Sequence, residues 1–265
     1  MNRLKFFAAE CCRLFTACEN DTKSKIEELE NRIEGLENGG NSNTGNDTNQ
    51  NGGNFNTGSD NATGTANGHG YVDLGLPSGT KWATCNVGAA TPEEYGNYYA
   101  WGETEPKETY DWATYKWCNG RYKTLTKYST DSDYGTVDNK IVLELADDAA
   151  RANWGGAWRM PTDAEWTELR ENCEWTWIDD YNGTGVAGLI VTSNINGNSI
   201  FLPAAGCHRY DDLFLAGGYG YYWSSSLSTD YPDSAWDVFF DSDGVSRDYG
   251  SRHYGLSVRP VLFGE

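Results

Sequence analysis

The aromatic residues decide where this chain can fold. All 11 Trp and all 17 Tyr stand at or beyond Tyr71, and the first 70 residues hold four Phe as their only aromatics, Phe6, Phe7, Phe15 and Phe55. A core needs large apolar side chains, so one folded domain is expected over residues 70–265, a length that a single core can serve. Charge limits the partners. Lys and Arg total 20 against 39 Asp and Glu, a formal charge of −19, which argues against nucleic-acid binding through a basic surface.

Three stretches precede the domain. Residues 1–18 read MNRLKFFAAECCRLFTAC: Arg3 and Lys5, a short apolar run, then small residues before Cys18. This layout resembles a bacterial lipoprotein signal peptide of the Bacteroides type, with Cys18 the lipidated residue and the acidic Glu19-Asn20-Asp21 following it. It implies an outer-membrane lipoprotein at the cell surface, held to the membrane by its lipid. Glu10 and Arg13 interrupt the apolar run, and a short amphipathic N-terminal helix is the alternative. In residues 19–37, Ile26, Leu29, Ile33 and Leu36 make a two-heptad seam, which predicts a short helix and a weak homodimer or, equally, a solvated stalk. Asn38 to Gly70 holds 10 Asn and 9 Gly, so residues 38–69 are expected to be a flexible tether.

Within the domain, short apolar runs and turn dipeptides predict an α+β fold with many short strands and about two helices. Strands are expected at Tyr71–Leu74, Thr80–Thr84, Leu189–Thr192, Ser199–Leu202, Tyr221–Ser226, Ala235–Asp241 and Leu256–Leu262, with a hairpin turn at Asn196-Gly197. Thr162-Asp163-Ala164-Glu165 is a capping box, and Trp166 and Leu169 continue at helical spacing, which predicts a helix from Asp163 to about Asn172. A second helix is expected around Ala146–Ala152.

Six segments then carry a resemblance in order: 70–83 (GYVDLGLPSGTKWA), 99–103 (YAWGE), 154–162 (WGGAWRMPT), 201–206 (FLPAAG), 222–226 (YWSSS) and 257–261 (SVRPV). Together they resemble the Fibrobacter succinogenes major paralogous domain. That family resembles the formylglycine-generating-enzyme branch of the C-type lectin fold, so the resemblance implies a C-type-lectin-like domain over residues 70–265. Trp154, Trp158, Arg159, Trp223 and Arg259 read as scaffold, with the two arginines satisfying buried carbonyls or carboxylates.

The segment from Leu227 to Leu256 is drawn from a small alphabet. Ser228, Asp230, Tyr231, Asp233, Ser234, Asp237, Phe239, Asp241, Asp243, Ser246, Asp248, Tyr249, Ser251, His253 and Tyr254 can each be encoded by changing only the adenines of an Asn codon. The segment resembles the variable region of a diversity-generating-retroelement target protein. Side chains alternate along a strand, so Trp236, Val238 and Phe240 are expected to face inward. Asp237, Phe239 and Asp241 would then face solvent with a loop over 243–254. Tyr and Phe give rigid contact area while Ser and Asp give adaptable hydrogen bonds, the chemistry of antibody paratopes. The expected function is non-catalytic binding of a protein or glycan on another cell or phage. No cofactor or metal is implied: Asp241-Ser-Asp-Gly244 lacks the later acidic ligands of a calcium loop. The alternatives are a calcium-independent carbohydrate-binding or structural surface module without diversification and, behind it, a glycan-processing enzyme using two of the 39 acidic residues. Cys85, Cys118, Cys173 and Cys207 are left as domain thiols or bridges with three complete pairings open.

Overall fold

The computed structural model describes residues 62–263, so the signal-peptide reading with Cys18, the heptad helix and most of the tether lie outside the described residues. Those residues form a β-rich α+β fold. In chain order they contain β1 (Gly64–Ala66), β2 (His69–Asp73), β3 (Thr80–Ala83), β4 (Tyr98–Tyr99), α1 (Ala149–Trp154), α2 (Asp163–Asn172), β5 (Cys173–Ile178), β6 (Gly188–Ser193) and β7 (Ser199–Pro203). The C-terminal part adds β8 (Cys207–Arg209), β9 (Asp212–Phe214), β10 (Gly220–Leu227), β11 (Ser234–Asp241), β12 (Gly244–Ser251), β13 (Leu256–Ser257) and β14 (Val261–Phe263). Strand orders are β1-β2-β3-β14, β12-β11-β10-β13-β4, β5-β6-β7 and β8-β9.

The domain starts earlier than its composition suggests. Residues 64–69, expected to end the tether, form β1 and enter β2 through Asn67-Gly68, both at positive φ, with Ala66 opposite His69. Two consecutive positive-φ residues match the twist of paired strands, which is why Asn-Gly suits this turn. The 154–158 segment clasps the hairpin. Trp154 stacks on His69 at 3.8 Å, Trp158 Nε1 donates to the Ala66 carbonyl at 2.9 Å, and the Asn67 amide donates to the Trp154 carbonyl. A Cβ on Gly155 or Gly156 would lie 3.2 Å from the Asn67 side chain, so the two glycines let the backbones approach.

Both helices start on caps. Thr162 Oγ1 accepts from the Glu165 amide at 3.2 Å and Glu165 Oε2 accepts from the Thr162 amide at 2.8 Å, so α2 carries the expected capping box and spans the expected Asp163–Asn172. The other expected helix is broken. A 3₁₀ turn over Leu145–Asp147 precedes α1 because Asp148 is an N-cap, its carboxylate accepting from the Arg151 amide at 3.0 Å and the Met160 amide at 2.8 Å. The β6–β7 hairpin forms, but only Gly197 of the Asn196-Gly197 pair has positive φ. Asn196 instead donates its side-chain amide to the Asp73 carbonyl at 3.0 Å.

The expected last strand is also split, into β13 and β14, around Arg259-Pro260. Arg259 is fully buried and donates to the carbonyls of Ala83 (3.0 Å) and Phe201 (2.8 Å) and to Asn86 Oδ1 (2.9 Å). Arg159 pairs with Glu165. Both arginines therefore serve the scaffold in the manner expected of them. The four domain cysteines are free thiols.

Two cores lie on opposite faces of the five-stranded sheet. Tyr222, Val238 and Phe240 pack with Val72, Trp82, Trp166 and Leu202 on one side. Trp223 and Ala235 pack with Tyr99, Trp101, Tyr128 and Trp158 on the other. Alternation along β10 and β11 sends neighbouring residues into different cores.

Candidate ligand-binding face

The small-alphabet segment folds as the outer hairpin of this sheet. β11 and β12 pair antiparallel from Ser234 opposite Ser251 to Asp241 opposite Gly244, and β12 is the edge strand. Residues 244–251, expected to be loop, are thus strand: Val245 packs against the apolar core beside Phe240, and eight successive residues of β11 supply partners for the backbone.

The two faces of the hairpin differ in kind. On one, Val238 and Phe240 are buried, while Trp236 is only half-buried beneath the Arg247 guanidinium, 3.2 Å from its ring centroid. Arg247 also pairs with Asp163 at the start of α2, Nε to Oδ1 2.6 Å. On the other face, Asp237 is 4% exposed and Phe239 and Asp241 are half-buried. The expected orientation therefore holds for Val238, Phe240 and Phe239 and fails for Asp237. Asp237 lies opposite Trp223 of β10, at the margin where the sheet face passes from core to open surface.

Three further corrections concern exposure. Ser228, Ser234 and His253 are buried along with Asp237, so these four do not present to solvent. Ser228 and Ser234 close the loop between β10 and β11, the Ser228 amide donating to the Ser234 carbonyl at 3.1 Å. The His253 ring lies 4.6 Å from Trp112 and 4.6 Å from Tyr254. Asp230, Tyr231, Asp243, Ser246, Asp248 and Tyr249 are exposed, and Asp233, Phe239, Asp241, Ser251 and Tyr254 half-buried. The exposed and half-exposed residues are not one patch. Tyr231 stacks on Tyr249 at 5.3 Å, on the Trp236 side. Phe239, Ser246 and Asp248 share the Asp237 side by register. Asp241 Oδ1 accepts from the Asp243 amide at 2.9 Å, closing the hairpin turn.

Residues outside the alphabet complete the Asp237 side. Tyr221 and Tyr219 approach Phe239 at 5.1 and 5.8 Å between ring centroids, and Arg209 of β8 lays its guanidinium 4.4 Å from the Tyr254 ring centroid. Tyr221 could have been found, since it stands opposite Phe239 once β10 and β11 are paired. Arg209 could not, because β8 reaches the face only through tertiary packing. Arg252 was equally silent in sequence. It is fully buried and donates to the Tyr115 hydroxyl (2.8 Å) and to the carbonyls of Tyr128 (3.0 Å), Pro232 (2.9 Å) and Lys127 (3.1 Å), pinning the end of β12 to the preceding loop and to the 127–128 segment.

Electrostatics sharpen the contrast. Burial, then the Asp248 carboxylate opposite, push the Asp237 carboxyl well above the usual carboxylate range, and Arg209 opposes them. Burial lowers the His253 imidazole to about 4 against a partial counter-effect of Asp111. Burial also raises the Cys207 thiol and the Tyr221 phenol. Among the described residues no three His, Cys, Asp or Glu gather where a metal could bind.

Residues 190–261 match a family model described as Domain of unknown function (DUF8237). The matched segment runs from β6 into β14 and so contains the whole β10–β11–β12 assembly. No curated protein and no solved structure matches the chain.

Proposed function

We propose that this chain is a non-catalytic binding protein, displayed at the cell surface by a lipid anchor, that recognises a protein or glycan on another cell or phage. Its C-type-lectin-like domain presents the Asp237 side of the β11–β12 hairpin. One observation carries this reading: Phe239, Ser246 and Asp248 stand at least partly exposed on strands whose opposite face is locked into a core, so they can change without changing the fold. An ordinary polar rim would not need Phe239 and Tyr221 packed together at a partly open surface. The resemblance of six scaffold segments to the Fibrobacter domain favours the lectin-like architecture, and the β-rich fold with two helices is compatible with it.

The buried acids elsewhere are engaged in structure, which disfavours a paired-carboxylate enzyme. Asp147 accepts from Lys127 and from the Tyr128 hydroxyl, Asp148 caps α1, and Glu165 bonds Arg159, Thr162 and Thr80. Selection of the full chain against random peptide and glycan libraries tests the proposal. Binding that falls at least tenfold in Phe239→Ala or Tyr221→Ala, with melting temperature retained, supports it. Binding indifferent to both substitutions, or catalytic turnover of a glycan, overturns it.

A further inference from the structure

β12 is the longest edge strand among the described residues. It has eight residues, against three in β1 and β14, two in β4, six in β5 and five in β7, the other edges of the three larger sheets. An open edge presents unpaired N–H and C=O groups, and proteins usually blunt it by shortness, Pro, Lys, a bulge or a cover. β12 contains no Pro or Lys, and its register with β11 runs without a shift from Gly244 to Ser251. β5 comes near it but pairs only with β6.

The direction of its backbone groups follows from the hairpin. Only Ser242 and Asp243 separate Asp241 from Gly244, so that closing pair is hydrogen-bonded and bonded pairs recur at every second residue, through Gly250 opposite Ala235. The Arg252 amide, donating to the Asp233 carbonyl at 3.0 Å, continues the same phase. The amides and carbonyls of Val245 and Arg247 therefore point away from β11, and none of them has a hydrogen-bond partner among the described residues. Beyond them the edge closes. Asp248 Oδ1 accepts from the Tyr249 amide at 2.8 Å, and the Ser251 carbonyl from the Tyr254 amide at 2.9 Å.

We infer that this edge takes an extended segment of a partner protein as an added strand, hydrogen-bonded at Val245 and Arg247. Unpaired backbone groups at strand spacing are matched best by another backbone, which offers donors and acceptors at the same repeat. The hydroxyls of a glycan have no such repeat. An added strand also makes one site out of two surfaces. Its alternate side chains lie beside Ser246 and Asp248 on the Asp237 side and beside Tyr249 on the Trp236 side, so exposed residues that no single face gathers meet one ligand. Charge selects the source. A second copy would bring a chain of the same −19 charge against this one, so the segment is foreign and is neutral or basic.

This inference rests on the proposal that the β11–β12 hairpin is the binding surface, and its test separates the two. The full chain is panned against a random dodecapeptide library displayed on phage, and synthetic copies of the selected peptides are N-methylated one residue at a time. Expected are peptides poor in Asp and Glu in which methylation at alternate residues weakens binding at least tenfold. Bound peptide should slow hydrogen exchange at the Val245 and Arg247 amides at least tenfold. Arg247→Pro removes that residue's outward N–H and spares the bonds to β11, so it should bind at least tenfold more weakly than Arg247→Ala. Peptides that depend on Phe239 and Tyr221 but tolerate methylation throughout, and leave both amides exchanging as before, overturn the added strand and leave the face standing. Peptides indifferent to methylation and to substitution of Phe239 and Tyr221 overturn both. Recovery of acidic peptides alone, or of none, overturns the stated partner, as does a dimer of the free chain in sedimentation that Arg247→Pro dissolves.

Discussion

Phe240 and Phe239 are neighbours in one strand and live in different environments. Phe240 packs on Tyr222, with ring centroids 5.8 Å apart, and Gly220 leaves space for its ring: a Cβ there would meet Phe240 Cζ at 2.0 Å. Phe239 stands half-open beside Tyr221 and Tyr219. The period of two in a strand thus divides the labour: one face fixes register and fold, and the other is free to be a surface. The exceptions teach as much. Asp237 belongs by parity to the open face yet is buried, because at its position that face is still edged by Trp223 and the core.

The comparison predicts a graded set of effects. Phe240→Ala removes a fully buried ring and should lower unfolding stability by about 3–5 kcal/mol in urea melts. Phe239→Ala should cost less than ~1 kcal/mol, and equal losses would break the distinction between the faces. Arg252→Met would remove the guanidinium shared by two buried carbonyls, a part-buried one and a phenol, with an expected loss of ~3 kcal/mol.

His253 gives a pH test with a definite sign. Its folded pKa lies below its unfolded one, about 4 against 6.5, so the unfolded chain takes up the proton first as pH falls. Stability should be full above pH 6.5 and decline between there and 4 by up to ~3 kcal/mol, and His253→Gln should flatten that slope.

Asp237 has the opposite sign. Its folded pKa is raised by burial and by Asp248, so the folded chain holds the proton longer and stability falls as pH rises above the unfolded value of 3.8. Asp237→Asn should therefore raise the melting temperature at pH 7, with the gain shrinking toward pH 4. A melting temperature lowered at pH 7 would mean that the carboxylate is held by interactions that stabilise its charge.

Much of this fold was legible because local rules acted alone. Thr162 and Glu165 announced α2 through a pattern confined to four residues, and Val238 and Phe240 announced their burial through alternation. Failures came where tertiary contacts decided. The Asn67-Gly68 turn was a readable hairpin signal masked by its Asn- and Gly-rich surroundings, and only the clasp of Trp154 and Trp158 makes it part of the fold. The polar 244–251 segment became a strand because β11 had an edge to fill. At the candidate site, the exposed positions followed from residue type and period, whereas Asp237 is buried opposite Trp223 and His253 against Trp112, which no spacing places beside them.

The most direct test replaces the open face and leaves the locked one intact. A full chain carrying Phe239→Ser, Ser246→Tyr and Asp248→Ser together is panned against the same random peptide library as the parent, with thermal melts of both. A melting temperature within a few degrees of the parent and a different set of selected peptides are expected. The same peptides selected by both chains, or loss of the folded state, would contradict this division of the faces.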